Sequence, residues 1–328
     1  MPSMNPDGYK IAKRWVGRHW SIGRYNWNGR DLNRDFPDLT DFVKPYLLKQ
    51  QNNVKKAPDD AILPVNNNNV STKSQKEWGW TQECNRITLK NANFLQAETK
   101  AVMRWIFSLP FVLSITFHDG GFGAVYPFDK RFTSRWYTPT PDNEIFLHLA
   151  KTYSTTHGDM SDRTKSGTDR NCFRLDGDFR WLGGIVNGAT WFSFAGGLED
   201  FSYITTDCFG FVVELSCTKW LSITRLRVEW EKNREAMLTA VEQTHIGFKG
   251  VIRHSRTNQP LKGAVVHVVG YPKDVTTYKD GDYWRPMQPG TYQVYARHGT
   301  ATSGVKTIRV HNNRTVLQGA LQIDFYLY

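Results

Sequence analysis

The chain has 328 residues, 40% hydrophobic and 22% charged, with 42 Lys or Arg against 31 Asp or Glu and a net charge of +11. That much apolar material supports a packed core and excludes a disordered chain or a collagen-like fibre. Four cysteines are too few for a disulfide-dense miniprotein, and no apolar run reaches the ~18–20 residues that cross a bilayer. The length suggests two domains, or one large domain with an appendage. Met1-Pro2-Ser3-Met4-Asn5-Pro6 has neither the basic nor the apolar stretch of a secretory leader.

Residues 1–48 are rich in Asn, Gly, Asp and Arg, and Pro6-Asp7-Gly8 and Asn28-Gly29 predict turns. Residues 49–83, polar and with Asn66 to Asn69 in a row, read as a surface insertion. From Ala97 to Leu109, Val102, Trp105, Ile106 and Leu109 recur at helical spacing, and Pro110 closes the helix. Phe111–Phe117 is a buried-strand pattern ending at His118, and Ile145–Tyr153 is expected to be helical. Phe209–Leu215 is a second β-forming run, with Glu214 inside it. Thr224–Thr244 sets Leu226, Trp230, Ala236, Met237 and Val241 among charges as an amphipathic helix. Helices and strands interleaved with long loops predict an α/β fold.

The pattern changes near Gly247. From Lys249 to Tyr328, short alternating runs are separated by Asn258-Gln259-Pro260, Lys279-Asp280-Gly281 and Gln288-Pro289-Gly290, which predicts a small all-β sandwich. This segment, residues 247–328, carries eleven Lys or Arg against four Asp or Glu. The cations fall singly, as in Lys249, Arg253, Arg256 and Lys262, so a solvated basic face is expected and no nucleic-acid partner. Acidic cell-surface polymers remain compatible with it.

Polar residues at the end of buried strands are where an α/β sheet places its chemistry. His118 and Glu214 qualify, although a hydrogen-bonded structural His and a buried ion pair account for each one taken alone. Arg24, Asn33 and Arg34 join them in the stretch Gly23–Asp38.

Taken together these motifs resemble the zinc metallocarboxypeptidases, regulatory branch (the D, E, M and N carboxypeptidases). The carriers are PSMNPDGY (2–9), the GR and DLNRDFPD segments within 23–38, SLPFVLSITFHDGGFGAVYPFD (108–129), NGATWFSFAGGLEDFSY (187–203) and CFGFVVELSC (208–217). The resemblance implies a catalytic domain over 1–246, with a mixed sheet flanked by helices and lacking its first strands. It implies a transthyretin-like sandwich over 247–328. It makes His118 a zinc ligand, Glu214 the general base and Arg24 the cation that stabilises the oxyanion. Asn33 and Arg34 become the clamp on the substrate's terminal carboxylate, a planar fork on a planar anion. The expected partners are peptide or protein C-termini.

Four departures stand out. The family's other two zinc ligands form an HxxE motif upstream of PSMNPDGY, and none of the nine histidines here has Glu three residues later. The chain is therefore expected to be N-terminally incomplete and to hold zinc poorly. Phe192 stands where the family has a tyrosine that touches the terminal carboxylate. Asp119 follows the zinc histidine in place of Gly. Asp35 replaces the second Asn of the family's pattern, a place from which it could orient Arg34. Glu199, seven residues after Phe192, matches the floor of the pocket for the last side chain, which predicts a preference for C-terminal Arg or Lys. Glu144 and His148 share a helical face and read as a surface pair. The four cysteines predict one or two disulfides of open pairing, and Asn69 and Asn313 begin glycosylation sequons. The family implies the secretory pathway or the cell exterior. The rival reading is a secreted binding protein of the same fold without catalysis.

Overall fold

The computed structural model describes residues 1, 3–15, 21–45, 94–132, 136–166, 172, 177–312 and 319–328. The 49–83 insertion, Cys84 and both sequons lie outside them.

Helix α1 (Pro6–Arg14) occupies the place expected to be a turn. Asn5 caps it, its side chain accepting from the Gly8 N–H at 2.9 Å, and Pro6 sits at the first helical position, where its missing N–H costs nothing. The turn at Asn28-Gly29 does form, with Gly29 at φ +70° between the bridged residues Tyr25 and Asp31. Helix α2 (Ala97–Ser108) leads into strand β1 (Leu113–His118), followed by β2 (Gly123–Tyr126) and helix α3 (Asn143–His157). Then come β3 (Ile185–Asn187), the single turn α4 (Gly188–Trp191), helix α5 (Leu198–Thr205), β4 (Phe209–Glu214) and helix α6 (Ile223–Glu242).

The four strands lie in the order β1-β4-β2-β3. Strands β1 and β4 are parallel, β4 and β2 antiparallel, β2 and β3 parallel, so the sheet is mixed. On one face Phe211 and Val213 of β4 pack with Phe146, Leu149 and Tyr153 of α3 and with Ala236 and Ala240 of α6. The other face carries Val125 and Val186 with Phe179, Val212 and Trp191. Side chains alternate along a strand. In the parallel register Ser114, Thr116 and His118 therefore stand beside Gly210, Val212 and Glu214 on that second face.

Beyond the helical turn at Gln243–His245 every regular element among the described residues is a strand. Strands β5 (Phe248–His254), β6 (Val265–Val268), β7 (Val275–Thr276), β8 (Asp282–Arg285) and β9 (Gly290–His298) come first. Strands β10 (Ala301–Thr302), β11 (Lys306–Val310), β12 (Leu321–Gln322) and β13 (Phe325–Leu327) complete the unit. One sheet runs β10-β9-β6-β7 with β11 on β9, the other β12-β5-β13 with β8 on β5. Phe248, Ile252, Val266, Val294 and Phe325 are sealed between them.

The two halves are joined by buried polar contacts. Arg285 of β8 donates from Nη2 to Asp142 Oδ1 at 2.6 Å, both side chains fully buried, and Tyr203 donates to the other oxygen of Asp142 at 2.7 Å. Lys273 Nζ donates to the Tyr203 carbonyl at 2.7 Å, and the Thr276 N–H to Asp207 Oδ2 at 2.8 Å. Cys172 and Cys217 form a disulfide, while the Cys208 thiol is buried and free. Among the described residues no helix is long and apolar enough to cross a membrane.

Candidate active site

The parallel pairing of β1 with β4 places His118 directly opposite Glu214 at the C-terminal end of both strands. His118 Nδ1 lies 3.0 Å from the Glu214 carboxylate; the histidine side chain is 48% exposed and that of Glu214 4%. The Glu214 charge pushes the His118 pKa up against the opposing effect of burial. Burial pushes Asp119, next along the chain, up to about 6.

Arg24 and Arg34 lie within electrostatic reach of each other on the turn-rich segment, and Lys219 is within reach of both Arg24 and Glu214. Arg24 grips Asp31 with Nε at 2.7 Å and Nη2 at 2.6 Å. Arg34 lies within electrostatic reach of Asp31, Arg24 and Asp129, and its guanidinium stacks on Phe194 with 3.3 Å from Cζ to the ring centroid. Phe192, 61% exposed, stands 5.9 Å from the same guanidinium. Asn33 accepts the Leu198 N–H at 2.9 Å and so ties the Asn33–Arg34 segment to the first turn of α5. Asp35 does not orient Arg34. Its carboxylate accepts the Gln96 N–H at 2.8 Å instead, satisfying a backbone donor at the start of α2. Lys219 faces Glu214, Arg24, Asp119 and Asp31 from the loop after β4.

Glu199, on the first turn of α5, is 3% exposed. Its Oε1 accepts from Thr116 Oγ1 at 2.6 Å, and its buried Oε2 has no hydrogen-bond partner. Burial raises its pKa to about 7, with Asp129 adding to the rise and Thr116 opposing it. Among the described residues no ion pair with an arginine is recorded for Glu199. Asp200 accepts the N–H groups of Asp129 and Lys130 at 2.8 and 3.1 Å and fixes that loop. Glu144 and His148 do not act together, since His148 Nε2 meets Gln243 Oε1 at 2.8 Å.

Asp129 is the residue that sequence reasoning missed. It is 5% exposed, packed against Gly188 and Gly197, and burial raises it to about 7 while Arg34 pulls it down. An aspartate directly after the apolar run Ala124–Phe128 was the available signal.

A catalytic zinc takes three protein ligands and an open position. Among the described residues no three His, Cys, Asp or Glu side chains stand together as a metal set. His118 and Glu214 do not make a zinc site on their own, and His118 Nδ1 is taken by Glu214.

Residues 1–236 match the family described as zinc carboxypeptidase, and residues 247–322 match the carboxypeptidase regulatory-like domain. Carboxypeptidase Z of Mus musculus is 35% identical over 100% of this chain and 45% of its own length. The carboxypeptidase N catalytic chain of Mus musculus is 40% identical, over 90% of this chain and 58% of its own. Carboxypeptidase E of Caenorhabditis elegans is 35% identical over 100% and 65%. The chain thus spans between 45% and 65% of these curated relatives.

Proposed function

Because this chain belongs to the zinc carboxypeptidase family, we propose that it serves hydrolysis of the C-terminal peptide bond of peptides and proteins, with Arg or Lys preferred as the last residue. The observation that carries the reading is the pairing of His118 with Glu214 across β1 and β4, 3.0 Å apart.

In this reading Arg34 and the Asn33 amide take the terminal carboxylate, which confines the reaction to chain ends. Phe192 lies against that clamp and supplies a ring without a donor. Glu214 accepts the proton of the attacking water and returns it to the leaving amine. Arg24, held by Asp31, faces the charge that develops on the carbonyl oxygen. Glu199, with the buried Asp129 carboxylate within electrostatic reach of it, is the receptor for a cationic side chain. The family implies zinc, and ligands beyond His118 come from outside the described residues. The Cys172–Cys217 bridge supports an oxidising compartment, the secretory pathway or the cell exterior.

A binding protein without catalysis is the second reading, favoured by the incomplete metal set among the described residues. Release of free arginine from a tripeptide ending in Arg, by this chain joined to an upstream HxxE segment, separates the two. Turnover of the free acid and none of its amide supports the peptidase. Metal-loaded protein that binds the acid and releases nothing supports the binding protein.

A further inference from the structure

Helix α5 is held at its two ends by different halves of the molecule. At its start the Leu198 N–H donates to Asn33 at 2.9 Å and the Phe36 N–H to the Gly196 carbonyl at 3.2 Å, which seats the Asn33–Phe36 segment there. Asp200, in the first turn, accepts the Asp129 and Lys130 N–H groups. At the other end, the carbonyls of a closing turn have no partner inside the helix. Lys273, a sandwich residue with no exposed surface, supplies one: its Nζ donates to the carbonyls of Tyr203 and Thr206 at 2.7 and 2.5 Å. A cation at that place also meets the negative end of the helix dipole. Two residues into β7, the Thr276 N–H donates to Asp207 in the turn that joins α5 to β4, and β4 ends at Glu214. The sandwich therefore grips the turn shared by two elements that carry the site.

An apolar side chain would close the junction without taking an ammonium out of water. The carbonyls of α5 are what the ammonium serves, with Asp207, Asp142 and Asp274 within electrostatic reach to balance its charge. A helix of eight residues is marginal on its own, so its order depends on what holds its ends. Resting on the function proposed above, we infer that Lys273 is a positioning residue: it caps α5 from the sandwich, and through that helix keeps the Asn33–Arg34 segment in place for a peptide's terminal carboxylate. The coupling is reciprocal, so a carboxylate held at Asn33 and Arg34 tightens the grip of the sandwich on the Thr206–Asp207 turn.

Amide exchange of the 328-residue chain, followed by NMR, tests this without turnover. Lys273→Met should quicken exchange at the Leu198, Asp129 and Lys130 N–H groups by roughly tenfold, the scale of one hydrogen bond to a charged group. Val294→Ala opens a cavity in the sandwich core, away from α5. It should leave those three within about twofold, because local opening follows local contacts. Lys273→Arg, which keeps a cationic donor, should bring the exchange back. Lys273→Gln is the second variant if the methionine chain fails to fold. The wild-type chain supplies an arm that needs no variant: an acylated dipeptide with a free C-terminal carboxylate should slow exchange of the Thr276 N–H, and its amide should not. Equal quickening in the Lys273 and Val294 variants, or a bound acid that leaves Thr276 unchanged, overturns the positioning role while the functional reading stands. An acid bound no more tightly than its amide overturns the functional reading and the clamp with it, while exchange in the variants still decides whether Lys273 holds α5.

Discussion

Glu199 sits where its own ionisation is disfavoured, and that has a measurable sign. Its pKa rises from 4.5 to about 7 on burial, so the folded chain binds that proton more tightly than the unfolded chain. Stability from this group is complete below 4.5 and is lost as pH rises through about 7. Urea midpoints of the wild type should therefore fall relative to Glu199→Gln between pH 5 and pH 8; parallel pH profiles would mean that the carboxyl titrates normally. The second expectation at this scale concerns metal. One imidazole cannot hold zinc firmly, and after dialysis the 328-residue chain should carry well under one zinc per molecule. Stoichiometric, tightly held zinc would point to ligands among residues 2, 16–20, 46–93, 133–135, 167–171, 173–176 or 313–318. His118 and Glu214 stood out in the sequence as polar residues of apolar β-runs, each open to a structural reading alone, and only the surrounding motifs set them together. Asp129 did not stand out, since its burial depends on Gly188, Gly197 and the Asp200 carboxylate, which come close only in three dimensions.

At the scale of elements, the long apolar runs read directly. Strand β1 begins two residues later than the run Phe111–Phe117, and α3 extends from Asn143 to His157 beyond the expected Ile145–Tyr153. The buried face of α6 did not read directly, since Leu226, Trp230 and Val241 are exposed while Ala236 is buried, and short local signals failed too. Pro6-Asp7-Gly8 carries turn residues, but Asn5 before it turns the same letters into a capped helix start. Asp35 illustrates a signal that no local pattern contains, because its partner lies 61 residues away on the backbone of Gln96. Asp35→Ala should leave that N–H without its acceptor and destabilise the chain by about 1 kcal/mol, as loss of a helix cap does. Binding of a C-terminal Arg peptide should be unchanged. A tenfold loss of that affinity in a folded Asp35→Ala chain would return Asp35 to the clamp.

For the whole molecule the decisive contacts lie where the mixed sheet meets the sandwich. Removing one partner of a buried ion pair leaves the other charge stranded, at a cost of about 3–5 kcal/mol. Arg285→Met alone should destabilise the chain by that order in thermal or urea unfolding. Arg285→Met with Asp142→Leu should recover much of the loss, and an undiminished deficit in the double variant would show that the pair is not what the interface depends on. Lys273 shows the same burial through pH. Its pKa falls from 10.5 to about 8, so the unfolded chain binds the proton more tightly between those values. Stability should rise as pH climbs from 8 towards 10.5, and Lys273→Met should flatten that rise. The sandwich had been legible as alternating strands with turn tripeptides, whereas nothing in those strands disclosed that Arg285 reaches Asp142 across the junction. That reach has a meaning for engineering. A regulatory-like module transplanted from a relative brings its own β8 residue but not the acid at the start of α3, so grafts should succeed when both travel and fail when either is exchanged alone. In this chain the two halves are matched to each other through Arg285 and Asp142.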